Sequence, residues 1–293
     1  MTDAKPANTL AYKVGDTEII AVADGFRVAP VGEGFVLNAP LADVHKALAG
    51  YGMENGNFMS TFTPTIVRNG HKTYLVDTGM GVGASQAPGS TVGFLNRNLE
   101  SIGIPPKDVD VVIISHFHGD HVNGLLLADG SPAFPNAEVS VPEVEWNFWM
   151  SDDEMSRASP GRMQDLFKNN RRVFNPLKDR VATHKWDKEV GKGIVAQGTP
   201  GHSYGHTSYI VSSGKDSVYL IQDVINHAVL SVRNPQWHLG FDQDPVKAEA
   251  TRRKTLDWLA AEKMPIQSFH FPFPGRATIE KGADGSYREH IIG

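Results

Sequence analysis

The segment Val109–Gly124 (VDVVIISHFHGDHVNG) constrains this chain more than any other. Val109–Ser115 is a nearly continuous apolar run, and a polar, histidine-rich cluster follows it directly. An unalternating run of that kind is how a strand reads when both faces of its sheet are covered. A sheet covered on both faces implies a layered α/β architecture. The cluster holds His116, His118, Asp120 and His121. In extended chain, residues two apart point the same way, so His116 and His118 can converge on one ion. Asp120 and His121 fall where the chain turns into a helix, and can face a second ion about 3.5–4 Å away.

Composition narrows what that ion can be held by. The chain has no cysteine, which excludes disulfides, thiolate zinc sites, iron–sulfur clusters and a cysteine nucleophile. His, Asp and Glu remain as ligands. With 293 residues and 40% hydrophobic content there is ample material for a core. No repeat, low-complexity tract or long linker divides it, so residues 1–293 are expected to form a single domain. The net charge of −5 leaves no electrostatic footprint for nucleic acid. The longest apolar runs are strand-sized, far short of the ~20 residues of a membrane helix, so no membrane partner is expected. Met1–Leu10 has no apolar h-region, which reads as cytoplasmic, although a trimmed exported chain would look the same.

The coarse pattern is strands, then helices, twice. Glu18–Ala23 and Phe35–Leu37 read as strands and Leu41–Ala49 as a short helix. Thr65–Arg68 and Thr73–Val76 form a hairpin across Asn69-Gly70. Val92–Ile102, Glu143–Met150 and Met163–Val173 have helical spacing, with an acidic, flexible stretch at Ser151–Pro160. Strands return at Gly193–Ala196, Thr207–Ser212 and Ser217–Gln222. A helix over Pro245–Lys263, a core strand over Ile266–His270 and a terminal hairpin over Thr278–Ile292 complete the chain. Gly79–Ala84 contains a G-x-G-x-x-A string after a strand, but Pro88-Gly89 interrupts any helix it could open. A loop beside the metal site is the better reading.

A polar metal site needs further ligands, and three later positions supply them. His202 lies in a turn after a strand, Asp223 directly follows the run Val218–Gln222, and His270 ends Ile266–Phe269. His, Asp and His at three strand ends describe an active site on the rim of a sheet.

His-x-His-x-Asp-His after a buried strand, followed by His202, Asp223 and His270, resembles the metallo-β-lactamase superfamily. Asp77-Thr78-Gly79 is similar to that superfamily's first motif. The resemblance implies a four-layer αβ/βα sandwich with metals at one edge. It assigns His116, His118 and His202 to one metal and Asp120, His121 and His270 to the other, with Asp223 bridging. It also implies that Asp77 orients the ligands from behind, and His206 is read in the same supporting role. A finer match resembles the methyl parathion hydrolase group, whose relatives include quorum-quenching lactonases. It rests on Ala133–Ala137, Glu145, Phe148-Trp149, Asp223-Val224-Ile225, Phe241-Asp242 and Phe273–Gly275. That resemblance puts Trp149 in the substrate pocket, with Leu166 and Phe167 as a second wall. Asn226 stands where many smaller lactonases carry a tyrosine, and His227 is a further pocket candidate.

The function expected is hydrolysis by water activated between two Zn²⁺, with Asp120 and Asp223 as the catalytic carboxylates. Substrates are expected to be small apolar esters, lactones such as acyl-homoserine lactones, or aryl phosphotriesters. The one protein partner entertained is a second copy, as a homodimer. The alternative of another class is a mononuclear iron sulfur dioxygenase of the same fold.

Overall fold

The computed structural model describes residues 8–292. The expectation drawn on Met1–Leu10 therefore lies, up to residue 7, outside the described residues. The strands are β1 (Thr9–Val14), β2 (Thr17–Val22), β3 (Gly25–Pro30), β4 (Asn57–Phe62), β5 (Thr65–Asn69), β6 (Lys72–Val76), β7 (Val111–Ile113), β8 (Glu138–Pro142) and β9 (Val181–His184). The second half adds β10 (Glu189–Gly191), β11 (Ile194–Gly198), β12 (Thr207–Ser213), β13 (Asp216–Leu220), β14 (Ile266–Gln267), β15 (Arg276–Lys281) and β16 (Tyr287–Ile291). The helices are α1 (Leu41–Ala49), α2 (Val82–Ser85), α3 (Leu95–Ser101), α4 (Gly119–Val122), α5 (Glu143–Trp149), α6 (Asp152–Arg157), α7 (Arg162–Phe174) and α8 (Pro245–Glu262).

Two seven-stranded sheets result. One runs β1-β2-β5-β6-β7-β8-β9 and the other takes β10 to β16 in chain order, while β3 and β4 pair separately. The first sheet is antiparallel up to β6 and parallel from β6 to β9. Its parallel steps need crossovers, and α2 to α7 supply them. The hairpin across Asn69-Gly70 joins β5 to β6 in the expected register, with Gly70 at φ 69.

Alternation along β7 explains its continuous apolar run. Val111 and Ile113 face the second sheet, packing with Ile194, Ala196, Tyr209, Val211, Val218 and Leu220. Val112 points the other way, with Ile114 beyond the strand, into the cluster formed with Leu95 and Leu99 of α3, Trp149 of α5 and Phe167 and Phe174 of α7. On the far face of the second sheet, Tyr219, Ile266, Ala277 and Ile279 pack on Leu256 and Leu259 of α8. The order is helices, sheet, sheet, helices: the four-layer sandwich. Each fully buried Val, Ile or Phe contributes about 1.5–3 kcal/mol, which is why so short a strand as β7 is held at the centre.

Four departures from the expected elements have local causes. The strand expected over Ile266–His270 stops at Gln267, because Ser268 Oγ accepts the His270 and Phe271 amides and turns the chain. The helix expected from Val92 starts at Leu95, because Gly93 sits at φ 86 and the Asp24 carboxylate collects the amides of Met80, Gly93 and Leu95. Phe35–Leu37 is a single bridge, Val36 to Leu239. Ser151–Pro160 is partly helical, with the Ser151 hydroxyl accepting the Glu154 amide at the start of α6.

Candidate metal centre

The histidine cluster is delivered by strand ends. β7 runs into Ser115–His118, and α4 then carries Asp120 and His121. β6 ends at Asp77, β11 leads into the turn holding His202, β13 into the turn holding Asp223, and β14 towards His270. All seven ligands proposed from sequence meet at this one rim. The loops carrying them touch closely: a side chain at Gly81 would press on the Asn123 carbonyl at 2.7 Å.

His202 Nε2 lies 3.1 Å from His116 Nε2 and 2.8 Å from His118 Nδ1, and those two are 3.1 Å apart. His270 Nε2 lies 3.4 Å from Asp120 Oδ2, and His121 Nε2 lies 3.6 Å from the same oxygen. Asp223 spans the two sets. Its Oδ2 is 3.3 Å from His202 Nε2 and 3.2 Å from His270 Nε2, and its Oδ1 is 3.2 Å from His121 Nε2.

Most of these imidazoles are fixed through the other ring nitrogen. His121 Nδ1 donates to Asp77 Oδ2 at 2.7 Å, His202 Nδ1 to Asp242 Oδ1 at 2.9 Å and His270 Nδ1 to the Thr61 carbonyl at 2.7 Å. His116 Nδ1 donates to Ser115 Oγ at 3.0 Å, and that hydroxyl donates to Asp77. Each arrangement leaves an Nε2 lone pair pointing inward. Asp77 pays for this hub with a left-handed backbone, φ 59. His206 stands behind the cluster. Its Nε2 accepts the Asp223 amide at 3.0 Å and its Nδ1 donates to Thr199 Oγ1 at 2.8 Å, so it supports the carboxylate from behind.

The electrostatics suit a cation. Burial and neighbouring imidazoles hold His116 and His118 well below the ordinary histidine value. Burial also opposes charge on His121, but Asp223, Asp77 and Asp120 outweigh it and raise that imidazole well above the ordinary value. Burial likewise opposes charge on Asp223, yet His270, His121 and His202 hold it well below the carboxylate range. His121 Nε2 and Asp223 Oδ1 are buried and without a well-aligned hydrogen bond among the described residues. Imidazole and carboxylate donors crowded in sets of three within 4.8 Å of one another, with no thiolate among them, fit divalent metal ions.

Two residues quoted above only for a family resemblance hold the site together. Glu145 is fully buried. Its Oε2 accepts the Phe117 amide and the Trp149 indole N–H, and its Oε1 accepts Ser203 Oγ and the Gly205 amide. One carboxylate thus clamps the His116–His118 segment to the His202 turn. Burial raises its pKa, against those four bonds. Asp242 anchors His202 and is itself paired with buried Arg252 at 3.3 Å. A lone acid in a helix carries no sequence signal for such a role.

The centre opens into a cavity of about 410 Å³, lined by Phe35, Phe58, Phe62, Met80, Leu166 and Phe241 together with Arg27, Arg162 and Asn226. Leu166 and Asn226 therefore line it, and Asn226 Nδ2 donates to Asp223 Oδ2 at 3.0 Å. Trp149, Phe167 and His227 do not. Trp149 is fully buried because its N–H is taken by Glu145, and Phe167 packs on it with ring centroids 4.8 Å apart. His227 is buried against Tyr51 and Phe58, and its Nδ1 accepts the Val229 amide. Burial pushes it down to about 3, and its neutral ring belongs to the packing. The aromatics at the mouth come from elsewhere: Phe35 and Phe241 from loops, Phe58 and Phe62 from β4.

The chain is similar to known proteins. The model of the metallo-beta-lactamase superfamily matches residues 63–256. An N-acyl homoserine lactonase of Bacillus sp is 26% identical over 158 residues, 54% of this chain and 55% of that protein. A probable metallo-hydrolase of Methanocaldococcus jannaschii is 27% identical over 56% of this chain and 65% of its own. The chain thus spans little more than half the length of such relatives. Among solved structures, AidC, a dizinc quorum-quenching lactonase in complex with a product, matches with a TM-score of 0.89 and 24% identity, covering 98% of both chains. The hydrolase AbOPH of the beta lactamase superfamily matches with a TM-score of 0.89 and 27% identity, covering 99% of both.

Proposed function

This chain belongs to the metallo-beta-lactamase superfamily, and from that membership we propose that it is a hydrolase holding two divalent ions, Zn²⁺ by preference. Its substrates are lactones and carboxylic esters with a largely apolar body, and aryl phosphotriesters are turned over more slowly. The observation that carries this reading is the position of Asp223, whose two oxygens reach both histidine sets at 3.2–3.3 Å. The lactonases among the similar proteins support the choice of substrate.

His116, His118 and His202 would hold one ion and Asp120, His121 and His270 the other, with Asp223 shared. Bound there, the ions supply Lewis acidity and make water a nucleophile near neutral pH. Asp120 faces the cavity, with its side chain 26% exposed against 3% for Asp223. With Oδ2 set against His121 and His270, its other oxygen takes a proton from water and returns it to the leaving oxygen. Asn226 Nδ2 holds Asp223 Oδ2 in place. Phe35, Phe58, Phe62 and Phe241 exclude water and bind the apolar part of the substrate. The same groups suit a tetrahedral carbon or a trigonal-bipyramidal phosphorus.

The test is elemental analysis of protein purified without added metal, with parallel assays on an acyl-homoserine lactone, an aryl ester, an aryl phosphotriester and a cephalosporin. Two zinc ions per chain and turnover of the lactone or ester are expected. One iron per chain with oxygen consumption on a persulfide, or cleavage of the cephalosporin alone, would overturn the reading.

A further inference from the structure

The cavity wall carries an unspent cation. Arg162 opens α7 and lines the cavity together with His118, Asp120 and His202. Its Nη1 donates to the Gly240 carbonyl and its Nη2 to the Phe241 carbonyl, both at 3.3 Å. A guanidinium has five N–H groups, so three are left. Among the described residues no carboxylate lies within ion-pair distance of it, as holds for six of the other twelve arginines. Arg252, buried behind the same site, is paired with Asp242 at 3.3 Å. Burial lowers the pKa of Arg162 from the arginine value, the Asp120 and Asp242 carboxylates act against that, and the guanidinium stays charged. Arg27 lines the same cavity from β3, also without an ion-pair partner among the described residues.

The fork is exposed at the wall of the cavity, where its planar geometry makes directional, paired bonds to a planar oxyanion. On the hydrolase reading above, the scissile bond lies at the metal ligands, and Arg162 shares the cavity wall with His118, Asp120 and His202. We infer that Arg162 is a specificity-determining residue that binds a carboxylate on the part of the substrate away from that bond. The favoured substrates are then monoesters of dicarboxylic acids and lactones with an acidic substituent: apolar in the middle and anionic at the far end. A neutral carbonyl would use the same N–H groups without the charge, and bind less tightly.

The experiment uses the full chain loaded with zinc, with two probes that need no turnover. Hexanoate and adipate each offer a carboxylate to the metal centre, but only adipate has a second one for Arg162. Calorimetry is expected to show adipate binding about tenfold to a hundredfold more tightly, the scale of a hydrogen bond to a charged group. R162Q is expected to abolish that preference and R162K to keep part of it. Equal affinities in the unmodified chain, or a preference that survives R162Q, would overturn the inference.

A kinetic arm compares phenyl hexanoate, the monophenyl ester of adipic acid and its terminal amide. The ratio of kcat/KM for the acid over the hexanoate is expected to fall about tenfold to a hundredfold in R162Q. An equal loss on all three esters would make Arg162 only a strut for the Gly240–Phe241 loop, and the inference fails. An amide that gains as much as the acid would show that charge is not what is read, and it fails again. If no ester is cleaved but adipate still binds through Arg162, the hydrolase reading falls while the carboxylate site stands.

Discussion

At the residue scale the centre depends on a shared carboxylate that is almost out of reach of solvent. Asp223 is the one that touches both donor sets, so D223A is expected to reduce zinc towards one ion per chain and to lower hydrolysis by orders of magnitude. Full occupancy of both sites in that variant, read by elemental analysis, would remove the bridging role. Trp149 gives the opposite prediction. Its ring is fully buried and its N–H is held by Glu145, so W149A is expected to destabilise the fold by about 3–5 kcal/mol, as large-to-small core changes do. Urea unfolding measures that directly. A normal unfolding midpoint with a raised KM would put the indole back at the cavity wall.

At the element scale α7 presents two neighbouring side chains to different surroundings. Leu166 lines the cavity while Phe167 is buried in the core. L166A is expected to raise KM for apolar esters with less than about 1.5 kcal/mol of lost stability, and F167A to cost about 3–5 kcal/mol. Comparing KM and unfolding midpoints for the pair separates wall from core. The end of β9 carries a titration that does not involve the metal centre. His184 bonds Ser140 Oγ at 2.9 Å and Tyr209 Oη at 3.3 Å, and burial lowers it to about 4. Between pH 6.5 and 4 the unfolded chain therefore binds a proton that the folded chain refuses. Stability falls as pH drops through that window, and His184 adds no further slope below it. The free-energy gap between the unmodified chain and H184Q is expected to narrow from pH 6.5 to 4. A constant gap would mean that His184 titrates alike in both states.

At the scale of the whole molecule, the sandwich has apolar layers on either side of the two sheets and between them, all independent of the donor cluster. The metal-free chain is thus expected to remain folded. Two ions that each bind only the folded state at a hundredfold excess over Kd add about 5.4 kcal/mol. That corresponds to about 10–20 °C in Tm for a chain of this size. Calorimetric scans with zinc and with a chelator check this. Unfolding at 25 °C after chelation would show that the sandwich does not stand alone.

Which histidines and carboxylates come together at this rim was legible because local spacing fixes much of it. His116 and His118 are two apart on extended chain after an apolar strand, and Asp120 and His121 open the next turn. The cysteine-free composition left only such residues to bind metal. The hairpin at Asn69-Gly70 and the start of α8 at Pro245 were legible for the same reason, since each depends on a few consecutive residues. What the linear pattern left open was which side of an element faces the site. Trp149 and Leu166 look alike as apolar residues on helices, and only their packing sends one to the core and the other to the cavity. The clamp by Glu145 joins residues up to 60 positions apart, the Asp242–His202 bond spans 40, and the free guanidinium of Arg162 meets the site through loops 78 and 79 residues further on. Contacts of that kind exist only once the two sheets have closed on each other, because the tertiary fold, and not the local chain, sets which distant groups share one desolvated space.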